Sequence, residues 1–150
     1  MKRLRISQIQ FEAKPTPLEN AEILKRYFER TKKFNPNLIC TPECSNIITN
    51  DLNFLKNNTT FERNCPILYI AKLYAKENKV NINIGSLLLR EKNKKKLVNR
   101  SFLINDKGKI VKRYDKIHMF DVNISKQETH RESDTFQAGK SIALLNINKV

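Results

Sequence analysis

Paired cysteines are absent from this sequence. Its three cysteines, Cys40, Cys44 and Cys65, are odd in number and form neither a CxxC pair nor the Cys/His spacing of a metal site. This pattern excludes a disulfide framework and a zinc site. Cys40 and Cys65 are instead interpreted as small hydrophobic residues of the core.

Long apolar runs are also absent. The sequence starts with MKRLRISQIQF, in which Arg5, Ser7, Gln8 and Gln10 interrupt the apolar segment that a signal peptide would need. No run approaches the ~18 apolar residues that a membrane-spanning helix requires. We therefore expect a cytoplasmic protein that does not insert into a membrane.

Internal repeats and linkers rich in glycine, proline or serine are missing as well. The chain has 150 residues, of which 39% are hydrophobic, and only 3 glycines. This length and composition predict one globular domain, spanning residues 1–150, with a core large enough to fold alone.

Positive charge is abundant but evenly spread. Lys and Arg total 29 against 15 acidic residues, a net charge of +14, and they number 9, 11 and 9 in successive thirds of the chain. Lys, Asn and Ile exceed a third of all residues, which indicates AT-rich coding bias. The even spread favours a solvated basic surface. A basic nucleic-acid-binding module, with affinity that falls steeply with salt, stays open as an alternative.

The predicted elements occur in an order typical of a layered α/β domain, with helices packed on one sheet. Alternating or continuous apolar residues predict strands, and apolar residues at three- and four-residue spacing predict helices. A further strand is expected to begin within 139–150. The other expected strands are 4–10, 35–40, 80–89, 97–106 and 110–117, the helices are 17–34 and 62–78, and a lysine-rich hairpin loop is expected at 90–96.

Three charged residues are candidates for chemistry. Glu43 follows a predicted buried strand, at the strand end where α/β folds place functional groups. Lys116 lies among apolar residues in YDKIHMFDV, where a lysine either extends its ammonium to solvent or is held for its charge. Glu132 lies in the polar stretch HRESDTF. Taken singly, each of the three also fits an ordinary surface role.

Several motifs, taken in order, resemble those of a known family. They are ISQIQ, LICTPE, INIGSLL, NRSFLINDKGKIVKRYDKIHMFD and ESDTFQAG, and they extend over essentially the whole chain. With them the chain resembles the N-terminal half of the nitrilase superfamily of carbon–nitrogen hydrolases. It is most similar to the Nit-like amidases, the branch of ω-amidase and deaminated-glutathione amidase. The resemblance implies the N-terminal part of an α-β-β-α sandwich.

The resemblance also implies roles for individual residues. Glu43 in TPE matches the family's general base, Lys116 in DKIH its lysine, and Glu132 in RES a second glutamate that supports the site. The family's nucleophilic cysteine lies downstream in a C-Y-D-like motif, so we expect this chain to be truncated before its nucleophile. Cys44 is then expected to line the pocket rather than attack the substrate. His118 is also expected to line the pocket, where it is structural or orients the substrate.

The activity implied by the resemblance is hydrolysis of a small carboxylate-bearing amide to acid and ammonia through a thioester. The glutamate takes the thiol proton and returns it to ammonia, and the lysine stabilises the oxyanion. No metal or organic cofactor is implied, and family members assemble into homo-oligomers. We expect the 150 residues alone to be inactive. A non-catalytic remnant that pairs with another chain stays open as a second alternative.

Overall fold

A five-stranded mixed sheet forms the centre of the computed structural model, which describes residues 3–123, 125 and 129–147. The first three strands run parallel and the last two continue as antiparallel hairpins, in the order β1-β2-β3-β4-β5. The strands of this sheet are β1 (Ile6–Gln8), β2 (Leu38–Cys40), β3 (Asn81–Leu89), β4 (Val98–Ile104) and β5 (Ile110–Asp115). The remaining elements are α1 (Pro17–Thr31), α2 (Leu52–Asn58), α3 (Pro66–Asn78), the two-stranded sheet of β6 (Asp121–Asn123) and β7 (Thr129–Arg131), and α4 (Glu132–Thr135).

Helices α1 and α3 cover one face of the five-stranded sheet. Proline occupies the first helical position of both, where its missing N–H costs nothing. The buried side chains of α1 recur every three or four residues, as in Ala21, Leu24 and Phe28, so that one stripe of the helix faces the core. The helix α3 ends at Lys79, which adopts a left-handed conformation.

The main core lies between these helices and the sheet. Alternate residues of the strands point into it, among them Ile39, Ile82, Ile84, Phe102 and Ile104, all of them almost fully buried. The layered α/β fold expected from the sequence is confirmed. Cys65 belongs to this core.

The opposite face of the sheet is more polar. Cys40 and Asn83 are register partners on it and both are half-buried. The expectation that Cys40 is a core residue is therefore wrong, because Ile39 takes the core-facing position and strand alternation turns Cys40 the other way.

The segment 140–147 crosses this polar face without forming a strand. The expectation of a strand beginning within 139–150 is wrong for residues 139–147, because the segment has no ladder partner there. Its apolar residues alternate between two environments. Ile142 and Leu144 are 85% and 83% exposed, whereas Ala143 and Leu145 border a groove against the sheet. Residues 148–150 lie outside the described residues.

The other predicted elements are found with shortened ends. The segment 17–34 forms α1 and one 3₁₀ turn, and 62–78 forms a 3₁₀ turn followed by α3. The loop 90–96 joins β3 to β4. The helix α2 was not expected, and its N-cap Asp51 accepts hydrogen bonds from two backbone N–H groups. Within the described ranges, none of the helices is both long and apolar enough to cross a bilayer.

Candidate active site

The loop that carries Glu43 is held against β3 by backbone hydrogen bonds. It begins after β2, where the parallel pairing of β2 and β3 ends. Thr41 N–H donates to Asn83 C=O at 3.0 Å, and Ser45 N–H donates to Ser86 C=O at 2.9 Å. Ser86 N–H in turn donates to the carbonyl of Pro42 at 3.2 Å. The backbone on both sides of Glu43 is therefore fixed by the sheet rather than left as a free loop.

Gly85 makes this close approach of loop and strand feasible. A Cβ atom at this position would lie 2.2 Å from the carbonyl oxygen of Thr41 and 2.7 Å from the carbonyl carbon of Pro42. Both are backbone atoms, so a side chain would have to push the Glu43 loop away from β3.

A buried asparagine completes the support of this loop. The side-chain oxygen of Asn46 accepts from Leu88 N–H, and its amide nitrogen donates to Leu88 C=O, both at 2.8 Å. Asn20 donates to the carbonyl of Asn46 at 2.8 Å, and both asparagines are fully buried. The Asn46 side chain thus replaces a neighbouring strand at this point of β3.

Lys116 follows directly after β5. The guanidinium of Arg100 donates to both carboxylate oxygens of its register partner Asp115, at 2.5 and 2.9 Å, which ties the end of β5 to β4. Lys116 N–H then donates to the carbonyl of Asn99 at 2.9 Å, and its own carbonyl accepts from Gly139 N–H at 2.8 Å. The lysine backbone is held on both sides.

Glu132 begins the short helix α4, immediately after β7. Its backbone N–H donates to the carbonyl of Phe120 at 3.2 Å, and its carboxylate oxygen Oε2 accepts from Phe120 N–H at 2.7 Å. Ser133 N–H also donates to the carboxylate of Asp121, at 3.0 Å. These bonds fix the orientation of the Glu132 side chain relative to the segment after Lys116.

The three predicted residues meet at one ammonium group. Lys116 Nζ lies 3.1 Å from Oε1 of Glu43 and 3.0 Å from Oε2 of Glu132. The side chain of Glu132 is 11% exposed, that of Lys116 28% and that of Glu43 58%. Glu132 is therefore the most buried of the three side chains, and Glu43 is the most exposed. Glu43 and Lys116 are 73 positions apart in the sequence, and the sheet brings them together.

Charge pairing sets the ionisation of the site. Partial burial acts to raise the pKa of Glu43, but hydrogen bonds from Lys116 and Asn99 outweigh it and hold that pKa below its ordinary value. Burial likewise acts to lower the pKa of Lys116, and the two carboxylates outweigh it, so that this pKa is raised. Glu43 is thus held as a carboxylate and Lys116 as an ammonium.

Cys44, next to the glutamate in sequence, has a different environment. Its backbone is left-handed, with φ of 52°, and its thiol packs beside an apolar cluster of Ile47, Leu55, Leu88, Leu97 and Phe136. Burial, with a smaller effect from the negative charge of Glu43, raises the pKa of the Cys44 thiol to about 12. A thiol of this kind is a weak nucleophile at neutral pH because almost none of it is ionised.

Of the three charged residues, Glu132 lines a cavity of about 830 Å³. Cys44, His130 and Arg131 also line it, together with apolar side chains such as Ile47 and Leu55. His118, which the sequence placed in the pocket, is exposed and is not among the residues that line this cavity.

Glu43 has one polar partner that sequence reasoning missed. Asn99 donates from Nδ2 to Oε1 of Glu43 at 2.8 Å. In the sequence, Asn99 is one of three consecutive polar residues, with Arg100 and Ser101, inside a predicted strand, and nothing there singles it out. Among the residues that the structure describes, no group of three or more His, Cys, Asp or Glu side chains could hold a metal ion.

The family of the chain follows from comparison with known proteins. The sequence pattern of the family described as carbon-nitrogen hydrolase matches residues 3–149, so the chain belongs to this family. The chain is 30% identical over 131 residues to Nitrilase homolog 2 of Dictyostelium discoideum, a match that covers 86% of this chain and 39% of that protein.

Two further relatives are named as amidases. Omega-amidase NIT3 of Saccharomyces cerevisiae is 26% identical over 143 residues, which cover 92% of this chain and 49% of the relative. Deaminated glutathione amidase of Yersinia enterocolitica is 31% identical over 109 residues, which cover 71% of this chain and 38% of the relative. The resemblance to Nit-like amidases is confirmed. The chain spans about half or less of the length of these curated relatives.

The fold is shared with solved structures. The Caenorhabditis elegans NitFhit protein superposes with a TM-score of 0.79 at 19% identity, over 93% of this chain and 34% of that chain. At this identity the match concerns the fold alone.

Proposed function

We propose that this chain carries the base and the oxyanion-stabilising lysine of an amidase, which hydrolyses a small carboxylate-bearing amide to the acid and ammonia. The observation that carries the proposal is the position of Lys116 Nζ between the carboxylates of Glu43 and Glu132, at 3.1 and 3.0 Å. Names of two relatives, an omega-amidase and a deaminated glutathione amidase, support the reaction class.

Glu43 has the properties of a general base in this reaction. Its carboxylate is kept ionised by two hydrogen bonds, yet its side chain is 58% exposed and open to a reactant. In the proposed sequence Glu43 takes the proton of a cysteine thiol as the sulfur attacks the amide carbon. It then gives this proton to the amino group, which departs as ammonia. In the second half it takes a proton from the water that hydrolyses the thioester and returns it to the cysteine sulfur.

Lys116 stabilises the negative charge that develops on the substrate oxygen. Its ammonium is already fixed by two carboxylates and by backbone bonds on both sides, so little reorganisation is needed when the oxyanion forms. Glu132 acts through Lys116 and does not touch the substrate in this proposal. It keeps the ammonium charged and in place, since it is the more buried of the two carboxylates.

The nucleophile is proposed to lie beyond Val150, in a downstream cysteine motif of the family. The three cysteines of this chain are unsuited to the role on physical grounds. Burial raises the pKa of each thiol, to about 12 for Cys44. Cys65 is 2% exposed in the core, and Cys40 lies on the polar face of the sheet. The 150 residues alone are therefore proposed to be inactive.

The proposed substrate carries a carboxylate in addition to its amide. We propose that Arg131 and His130, which line the 830 Å³ cavity, receive this group. The amide would then bind on the side of Glu132, whose carboxylate contacts Lys116. We also propose that residues 1–150 belong to one hydrolase domain. The protein is proposed to be cytoplasmic and to form a homo-oligomer. Exposed apolar side chains on the outer face of α3, such as Tyr69 and Leu73, are consistent with such assembly.

The test is ammonia release from ω-amides of short dicarboxylic acids by the protein made from its complete reading frame. Lys116→Met should lower kcat/KM by roughly 10² to 10³-fold, the effect expected when an oxyanion donor is removed. Lys112→Met, which removes an exposed lysine of β5, is the matched control and should have no effect. Equal activity of both variants would reject the proposal.

A second arm uses the 150-residue chain by itself. It should release no ammonia, and Cys44→Ala should change nothing. Turnover by this chain that Cys44→Ala abolishes would show that Cys44 is the nucleophile after all.

A further inference from the structure

We propose that Asn99 is a positioning residue for Glu43, and that it selects which carboxylate oxygen acts as the base. Asn99 Nδ2 and Lys116 Nζ both donate to Oε1 of Glu43, at 2.8 and 3.1 Å. The other oxygen, Oε2, receives no hydrogen bond from any of the described residues. Oε2 is then the atom that accepts the proton. This inference rests on the proposed function, because it assigns a role within that reaction.

The position of Asn99 in the fold suits such a role. It lies in β4, between β3 and β5, and is 2% exposed. Because it is buried, the Asn99 side chain is held in one orientation and cannot rotate out to bind solvent water. Glu43, by contrast, is largely exposed, and its carboxylate would be free to rotate without a fixed donor.

Asn99 also connects the base to the lysine through its own backbone. Its carbonyl accepts the hydrogen bond of Lys116 N–H at 2.9 Å, while its side chain binds Glu43. One residue of the sheet thus sets the positions of both partners.

The chemistry of an amide donor fits this task. Asn99 lowers the pKa of Glu43 by a hydrogen bond, but it adds no charge. A second cation in its place would stabilise the carboxylate further and weaken it as a base. A neutral donor on Oε1 keeps Glu43 ionised and leaves Oε2 able to take a proton.

The experiment is a ¹³C NMR titration of the Glu43 carboxyl group in the 150-residue chain. Removal of the bond in Asn99→Ala should raise the pKa of Glu43 by about one pH unit, the lower end of the effect of a hydrogen bond to a charged group, because the side chain of Glu43 is largely exposed. Asn81→Ala is the matched control. Asn81 is half-buried on the adjacent strand β3 and donates one side-chain hydrogen bond, to the carbonyl of Asn37 at 3.1 Å. Asn81→Ala should leave the pKa of Glu43 unchanged.

A second variant keeps the proposal falsifiable if Asn99→Ala does not fold. Asn99→Asp has nearly the same shape, removes the donor and adds a negative charge, so it should raise the pKa of Glu43 further. A folded Asn99→Ala or Asn99→Asp protein in which Glu43 titrates as in the wild type would overturn the proposal.

Kinetics of the complete protein separate this inference from the proposed function. In Asn99→Ala the acidic limb of the kcat/KM profile should move to higher pH, a change that a merely structural defect would not produce. An unchanged limb with altered Glu43 pKa would contradict the role of Asn99 in the reaction. Absence of amide hydrolysis in the wild type, with the predicted change in Glu43 pKa, would reject the amidase while supporting the positioning of Glu43 by Asn99.

Discussion

The two glutamates beside Lys116 are supported in opposite ways. The backbone around Glu43 is bonded to β3 and includes the buried residues Thr41, Ser45 and Asn46, yet the Glu43 side chain is 58% exposed. Glu132 follows a small two-stranded sheet whose residues are mostly exposed, yet its side chain is 11% exposed. We refer to residues 41–46 as the base loop and to residues 116–123 and 129–139 as the support segment.

This contrast matches the roles that we propose for the two carboxylates. A base must reach the reactant, so its carboxylate is open while its backbone is fixed by the sheet. A supporting carboxylate must keep an ammonium charged, which is more effective away from water. Although β6 and β7 are mostly exposed, hydrogen bonds from Phe120 N–H and Lys116 hold the Glu132 side chain in place.

The largest effect on activity is expected when the exposed carboxylate of Glu43 is removed. In the complete protein, Glu43→Gln should lower kcat/KM on the order of 10³-fold, since it removes the base without changing its shape. Thermal unfolding should be nearly unchanged because the side chain is largely exposed. Glu77→Gln, an exposed glutamate of α3, serves as the control. Retained activity in Glu43→Gln would contradict the assignment of Glu43 as the general base.

Substitution of two glycines, one packed against the base loop and one in the support segment, compares the rigidity of the two regions directly. A Cβ atom would lie 2.2 Å from a backbone oxygen at both Gly85 and Gly139, the oxygens of Thr41 and Asp115. Gly85→Ala should destabilise the chain by about 3 kcal/mol, because sheet and base loop cannot separate without loss of packing. Gly139→Ala should cost about 1 kcal/mol or less, since the exposed chain after it can move. Urea unfolding of both variants measures the difference, and equal costs would show that the two supports are equally rigid.

Removing a hydrogen-bonding side chain should likewise destabilise the chain more in the base loop than in the support segment. Asn46→Ala leaves the buried N–H and C=O of Leu88 without their partner and should cost about 2 kcal/mol. Asp121→Ala removes the acceptor of Ser133 N–H, which water can replace at this exposed site. Its unfolding midpoint in urea should stay close to that of the wild type. A larger loss for Asp121→Ala than for Asn46→Ala would reverse the comparison.

The smallest expected effect is the contribution of Glu43 to the pH dependence of stability. The pKa of Glu43 is lowered in the folded chain, so its pairing stabilises the fold above its ordinary value of 4.5 and loses this effect as pH falls through the folded pKa. Wild type and Glu43→Gln should therefore differ in stability by less than about 1 kcal/mol at neutral pH. The difference should vanish in acid. Urea unfolding at several pH values tests this, and a difference that grows on acidification would contradict the sign.

Sequence reasoning found the parts of this molecule that depend on local patterns. The helical spacing of Leu24 and Phe28 and the alternation of Ile82 and Ile84 report a buried face directly, so the helices and the sheet were predicted. The segment 139–147 was misread because its apolar residues suggested a strand, whereas a strand also needs a partner that no local pattern reveals.

The site was predicted by resemblance to a family rather than by spacing. Glu43, Lys116 and Glu132 are polar residues at element ends, and nothing local brings them together. Their meeting depends on the parallel pairing of β2 with β3 and on the hairpin of β4 and β5. Asn99 was missed for the same reason, since its partner Glu43 is 56 residues away in the sequence.

The coupling of Glu43 to Lys116 is the central claim, and its most direct test is the carboxyl titration of Glu43 by ¹³C NMR in the wild type, in Lys116→Met and in Lys112→Met. Loss of the ammonium at 3.1 Å should raise the pKa of Glu43, because burial would then be opposed only by Asn99. Lys112→Met should leave that pKa as in the wild type. If Glu43 titrates identically in all three proteins, the two side chains do not interact, and the proposed active site is contradicted.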